Sequence, residues 1–169
     1  MLNYPYTLKV ILNKATRSLK LISEAEFSSK TFPKKWSKKE TLGHLIDSAV
    51  NNLRRFTKAA IQNDYRFERY DQDLWVEFND YQSQQAKDLI RLWESLNYHI
   101  AHVVSQIPDE KLQKMTTEHN FDEICMLRVE PKSESSLSYL IWDYLYHMEH
   151  HLSQIIRTYE YELTNFEND

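Results

Sequence analysis

The stretch Tyr144-Leu145-Tyr146-His147-Met148-Glu149-His150-His151-Leu152-Ser153-Gln154-Ile155 decides how this chain reads. Around it Leu137, Leu140, Ile141, Tyr144, Met148, Leu152, Ile155 and Tyr159 recur at helical spacing. The pattern predicts a helix over about 135–161 with one buried side. His147 and His151 stand one helical turn apart, so their imidazoles leave one face towards a common point, as when a helix offers two nitrogen ligands to a metal. On a wheel at about 100° per residue the two lie about 40° apart, on the flank of the apolar stripe. Such a pair also serves as hydrogen-bonded core or surface histidines, because a buried ring without a partner costs about 1–3 kcal/mol. His150 points about 60° from His147 and about 100° from His151, and Glu149 about 160° from His147, so both are expected outside a ligand set.

Three more helices follow from the same periodicity. Leu8, Ile11, Leu12, Ala15, Leu19 and Ile22 mark a first helix over about 6–24, followed by a loop to Trp36. Ser37-Lys38-Lys39-Glu40 is a capping box, in which hydroxyl and carboxylate satisfy free amides, and it opens a second helix with the stripe Leu42, Leu45, Ile46, Ala49, Leu53, Phe56 and Ala60. A third, over about 81–107, is stopped by Pro108. An aromatic and acidic connection over 63–79 separates the second from the third and reads as either a lid, a dimer surface or a loop packed on the bundle end. Residues 109–134 are expected to hold a helical turn over 109–115 and an irregular or briefly extended piece over 124–129. Four long amphipathic helices bury their stripes together, so an all-α four-helix bundle with long loops between helices two and three and between three and four is expected.

Composition supports this reading and narrows the function. One Gly and four Pro leave little turn chemistry for a many-stranded sheet, and 41% hydrophobic residues in 169 suffice for one core, so a single domain over 1–169 is expected. With 21 Lys and Arg against 25 Asp and Glu the net charge is −4, so the chain lacks the basic field of a nucleic-acid binder. Met1-Leu2-Asn3-Tyr4-Pro5-Tyr6 leads into no apolar signal region, and no run is long enough to span a bilayer. No membrane association and a cytoplasmic address are expected. Cys125, the single cysteine, builds neither an internal disulfide nor a thiolate cluster and is expected to be a small, partly buried residue.

Among the remaining histidines, His99 and His102 fall on the outer side of the third helix and His119 in a loop, so surface roles are expected. His44 follows the second helix's only glycine, Gly43, which leaves space for a neighbour. Periodicity sets it about 160° from the aliphatic stripe and predicts exposure. Ser48, Asn51 and Arg55 share that polar side, where they either line a pocket mouth or face water. No Glu-x-x-His, His-Glu-x-x-His, phosphate-loop or Gly-x-Ser-x-Gly motif occurs.

The Trp-Ser-x-x-Glu-x-x-x-His-Leu run ending at Leu45, the Tyr-x-His-x-x-x-His-Leu-x-Gln-Ile run ending at Ile155 and Tyr70-Asp71-Gln72-Asp73-Leu74-Trp75 resemble the DinB-like superfamily, including its YfiT-like members. The resemblance implies a four-helix bundle, a homodimer, and one divalent metal held by His44, His147 and His151, with zinc or nickel expected and iron also compatible with imidazole. Three protein ligands leave a coordination position open. The resemblance therefore implies a metal-dependent hydrolase acting on a small molecule, with Asp47, Asn51 or Tyr144 orienting the substrate. The alternatives are a transferase that uses a low-molecular-weight thiol, or a bundle that binds metal without turnover.

Overall fold

The computed structural model describes residues 2–62 and 65–163, and among them every regular element is a helix. Four are long: α1 (Tyr4–Leu19), α3 (Lys38–Gln62), α5 (Ala86–Ser105) and α8 (Leu137–Ile155), with α2 (Glu24–Ser28), α4 (Gln72–Phe78), α6 (Asp109–Leu112) and α7 (Phe121–Ile124) in the connections. The long helices pack in the cyclic order α1, α5, α3, α8, as the expected four-helix bundle. The sequence neighbours α1 and α3 are therefore diagonal. None of these helices is long and apolar enough to cross a membrane.

Local chemistry sets where the helices start. The Asn3 side chain accepts from the Tyr6 amide at α1, and the Ser136 hydroxyl accepts from the Tyr139 amide at α8. The capping box of α3 is formed in both directions: the Ser37 amide donates to Glu40 at 2.8 Å and the Glu40 amide donates to the Ser37 hydroxyl at 3.1 Å. The third helix starts later than expected, at Ala86, after a separate 3-10 turn over Tyr81–Ser83. Its first amide is capped from outside, by the Glu24 carboxylate at 3.0 Å. In the 63–79 connection, Asp71 accepts from the amides of Asp73 and Leu74 and so nucleates α4. That connection divides its aromatics, burying Tyr65 and Phe67 while Phe78 is 92% exposed.

The fourth helix ends at Ile155 rather than near 161, because Ile156 turns extended and the chain folds back. Glu149 is the reason. Its fully buried carboxylate accepts from the Tyr159 hydroxyl and the Glu162 amide, both at 2.7 Å, and from the Leu163 amide at 2.9 Å. Charge-assisted bonds to a buried anion are each worth about 1.5–3 kcal/mol, so Glu149→Ala is expected to cost about 2–4 kcal/mol and to release the 157–163 segment. Hydrogen exchange at the Glu162 and Leu163 amides reads this directly, and unchanged protection there would refute the latch.

α3 differs from an ordinary amphipathic helix in being enclosed on nearly every side along its first half. It touches α5 and α8 along its length, with α2, α4 and the 3-10 turn over its start. Residues 41–49 are consequently all buried. Gly43 permits this closure, for the Tyr81 ring lies where a Cβ would stand, with Cδ2 at 2.1 Å from that position.

Candidate metal centre

His44 is 2% exposed, so the exposure that periodicity predicts is overturned. A helical wheel measures distance from one stripe, whereas α3 has a second buried face against α8. There the His44 ring meets His147 and His151 with centroids at 5.0 and 4.8 Å, and His147 and His151 lie 4.6 Å apart. The rings stand edge to face around a common point. The Nε2 atoms of His44 and His147 are 3.0 Å apart, and one ligand atom from each of the three lies within 4.8 Å of the others.

These residues suit a divalent cation. Two nitrogens bound to one metal at about 2.0–2.1 Å stand roughly 3–3.4 Å apart, close to the His44–His147 separation. The ring nitrogens turned away from the cluster meet neighbours in two cases: His151 Nδ1 pairs with Gln154 Oε1 at 3.0 Å, and His147 Nδ1 faces the Ser48 hydroxyl at 3.5 Å. Such outer contacts fix ring orientation. His44 Nδ1 is buried without a hydrogen-bond partner, and Trp36 packs against its ring at 5.0 Å. Burial, aided by the neighbouring His151, holds the His44 imidazole down to about 3; burial and then His151 and His44 hold His147 well below the usual value. His151 is lowered too, chiefly by burial. Three neutral imidazoles thus converge with lone pairs available to a metal, His44 buried and His147 and His151 half-buried.

The cluster forms one end of a cavity of about 560 Å³. α3 and α8 run antiparallel along it, as His44 and Ser48 face His147 while Phe56 further on meets Tyr144. The far end is walled by Arg55, Tyr70, Cys125 and Asp143. The three residues expected to orient a substrate fare differently. Asp47 does not line this cavity; its carboxylate accepts from Tyr81 at 2.6 Å and Asn79 at 3.0 Å, and burial raises its pKa to about 6. Asn51 also lies outside the lining, its amide turned back onto the Asp47 carbonyl at 2.9 Å. Tyr144 lines the cavity, but its hydroxyl donates across the bundle diagonal to Asn97 Oδ1. Both α3 residues follow from helical geometry, since they sit about 60° and 20° off the His44–Ser48 line on the side away from α8.

Sequence reasoning passed over Asp143 and left the setting of Arg55 open. Asp143 is four residues before His147, on the same face of α8, and Arg55 is eleven after His44, which brings it back to within about 20° on α3. Burial raises Asp143 to about 6 against two backbone amides and the Cys125 thiol, while burial pushes that thiol up and keeps it protonated. Cys125 is therefore the buried residue expected. His150 and Glu149 lie outside the cluster as expected, His150 Nε2 being paired with the Gln154 amide at 2.9 Å. His119 is not a surface residue: it stacks on Phe121 at 4.5 Å and its Nε2 pairs with the Ser133 carbonyl at 3.0 Å.

The sequence matches the family model described as the DinB superfamily over residues 8–155. No curated protein matches it. Among solved structures, YfiT from Bacillus subtilis, described as a probable metal-dependent hydrolase with an unusual four-helix bundle topology, superposes with a TM-score of 0.72 at 16% identity, covering 91% of this chain and 82% of that one. The mycothiol-dependent maleylpyruvate isomerase superposes with a TM-score of 0.65 at 12% identity, over 90% of this chain and 59% of that one. At such identities the likeness is one of fold.

Proposed function

The chain belongs to the DinB superfamily, and from that premise we propose that it holds one divalent metal on His44, His147 and His151 and acts as a metal-dependent hydrolase on a small molecule. The observation that carries the reading is the convergence of three neutral imidazoles at the end of a cavity large enough for a metabolite. Each side chain has a distinct part. His44, from α3, and the His147 and His151 pair, from α8, would hold the ion, and three protein ligands would leave a coordination position for water or substrate. Gln154 and Ser48 steady the α8 rings. The walls from α3, α8 and residues 70–72 line the space in front of the histidines. When bound, the ion supplies Lewis acidity, polarising a substrate carbonyl and lowering the pKa of a water or thiol. Zinc or nickel suits the imidazole set. The proposal extends to a homodimer and a cytoplasmic address.

A second reading, transfer of a low-molecular-weight thiol, is favoured by the fold shared with a mycothiol-dependent enzyme. Activated esters and amides, and thiol plus electrophile pairs, assayed with metal-reconstituted and chelator-treated protein, separate the readings. The hydrolase reading expects ester or amide turnover that needs no thiol and falls at least about a hundredfold on chelation, in line with loss of a metal-activated nucleophile. Turnover that requires a thiol selects the transferase. Metal binding that raises the melting temperature without any turnover across both panels selects a structural ion.

A further inference from the structure

Arg55 is a buried cation with no carboxylate paired to it; Asp143 acts on its charge only from beyond ion-pair distance. Arg55 is 8% exposed, its Nη2 donates to the Glu68 carbonyl at 3.2 Å, and among the described residues no carboxylate stands within ion-pair distance of it. A guanidinium carries five N–H donors and keeps its charge even where burial lowers its pKa, so a buried one with a single backbone acceptor is poorly compensated. The carboxylates that share the cavity are engaged elsewhere. Asp143 accepts from the Met126 and Leu127 amides at 3.1 and 2.9 Å, and Asp71 caps α4. Glu123 accepts from the Asn120 side chain at 3.1 Å. Tyr70 lines the cavity near Arg55, and its hydroxyl has no hydrogen-bond partner among the described residues.

The placement of Arg55 relative to the histidines gives this donor a direction. His44, Ser48, Asn52 and Arg55 follow one line along α3 and all line the cavity. Eleven residues at about 1.5 Å each put Arg55 roughly 16 Å along the axis from His44. Helical side chains tilt towards the N-terminus, so the guanidinium leans back towards the histidine end. We propose that Arg55, assisted by Tyr70, is the anion-binding end of the cavity, and that the molecule taken is a small carboxylate held by this end with its reactive group at the three histidines. A carboxylate matches the planar guanidinium fork with two parallel hydrogen bonds and supplies a directly bonded countercharge, which Asp143 does not. The orientation of the substrate rests on the metal reading. The anion site itself does not.

The test uses two forms of the full chain and calorimetric titration. On zinc-loaded protein, adipic acid monohydroxamate is compared with the analogue whose carboxylate is a primary amide, so that the hydroxamate seeks the metal and the far end seeks Arg55. The carboxylate form is expected to bind at least about tenfold tighter, a preference that shrinks to less than about twofold in Arg55→Gln and is largely kept in Arg55→Lys, as for a charge-assisted contact. Affinity for the amide form should not change. On chelator-treated protein, adipate alone should bind with the same dependence on Arg55. If Arg55→Gln does not fold, as judged by its melting curve, the wild-type preference, its retention in Arg55→Lys and a two- to fivefold reduction in Tyr70→Phe decide. Absence of carboxylate preference in wild type, or a preference that survives Arg55→Gln, overturns the anion site. Loss of hydroxamate binding alone, with adipate still held through Arg55, faults only the metal reading.

Discussion

Replacing Gly43 with alanine is expected to destabilise the protein by about 2–4 kcal/mol, although alanine exceeds glycine in helix propensity by about 1 kcal/mol. The new Cβ would stand 2.1, 2.2 and 2.7 Å from Cδ2, Cγ and Cε2 of Tyr81. Those atoms belong to the root and edge of a ring that is 5% exposed, so no small rotation clears them. The ring must leave, which gives up the burial of an aromatic, worth about 3–5 kcal/mol when lost outright. It also takes away the 2.6 Å hydrogen bond to Asp47, a buried carboxylate then left with Asn79 as its side-chain donor. For a domain of this size each kcal/mol shifts the melting temperature by about 2–4 °C, so a fall of roughly 5–15 °C is expected. A double-mutant cycle isolates the cause. Once Tyr81→Ala has removed the ring, adding Gly43→Ala should cost nothing and return part of the propensity gain. A single Gly43→Ala variant that melts at or above wild type would refute the contact.

The same neighbourhood shows what the sequence discloses and what it conceals. The four stripes and the Ser37–Glu40 capping box depend on contacts within a turn or two, and each long helix overlaps the span its periodicity predicts, although α1 ends at Leu19 rather than near 24. The ends depend on partners remote in sequence. Glu24 caps α5 from 62 residues away, and Glu149 turns the chain after Ile155 by holding Tyr159 and two amides. The candidate site was legible in part. The His147 and His151 pair is a local feature of one helix, whereas the burial of His44 requires knowing that α8 covers the side of α3 opposite its aliphatic stripe. A wheel contains no information about a second neighbour. Asp47 and Asn51 are close to His44 in sequence, yet the helical phase turns Asp47 to Tyr81 of the 3-10 turn and leaves Asn51 outside the cavity. Arg55, further along the chain, returns to the phase of His44 and enters the cavity.

His44 also provides the sharpest test of the proposed metal site. Metal-free wild type, titrated with zinc or nickel, is expected to take up one ion per chain and to gain about 2.7 kcal/mol at a hundredfold excess over Kd, or roughly 5–11 °C in melting temperature. His44→Ala should lower the affinity at least about a hundredfold, since even outer-shell partners of metal ligands are worth tenfold to a hundredfold. The metal-free stability should move far less. Truncating the ring leaves a void beside Trp36, but it also removes the buried Nδ1 that has no hydrogen-bond partner, so the two effects oppose one another. The variant therefore separates a folding defect from a binding defect: its unloaded melting curve stays near wild type while the metal-induced shift disappears. His150→Ala is the control, because that ring pairs with Gln154 and lies outside the cluster, next in sequence to a residue within it. It should retain full stoichiometry, and most of the thermal shift. Retention of metal by His44→Ala together with its loss in His150→Ala would move the site off α3 and onto the exposed side of α8.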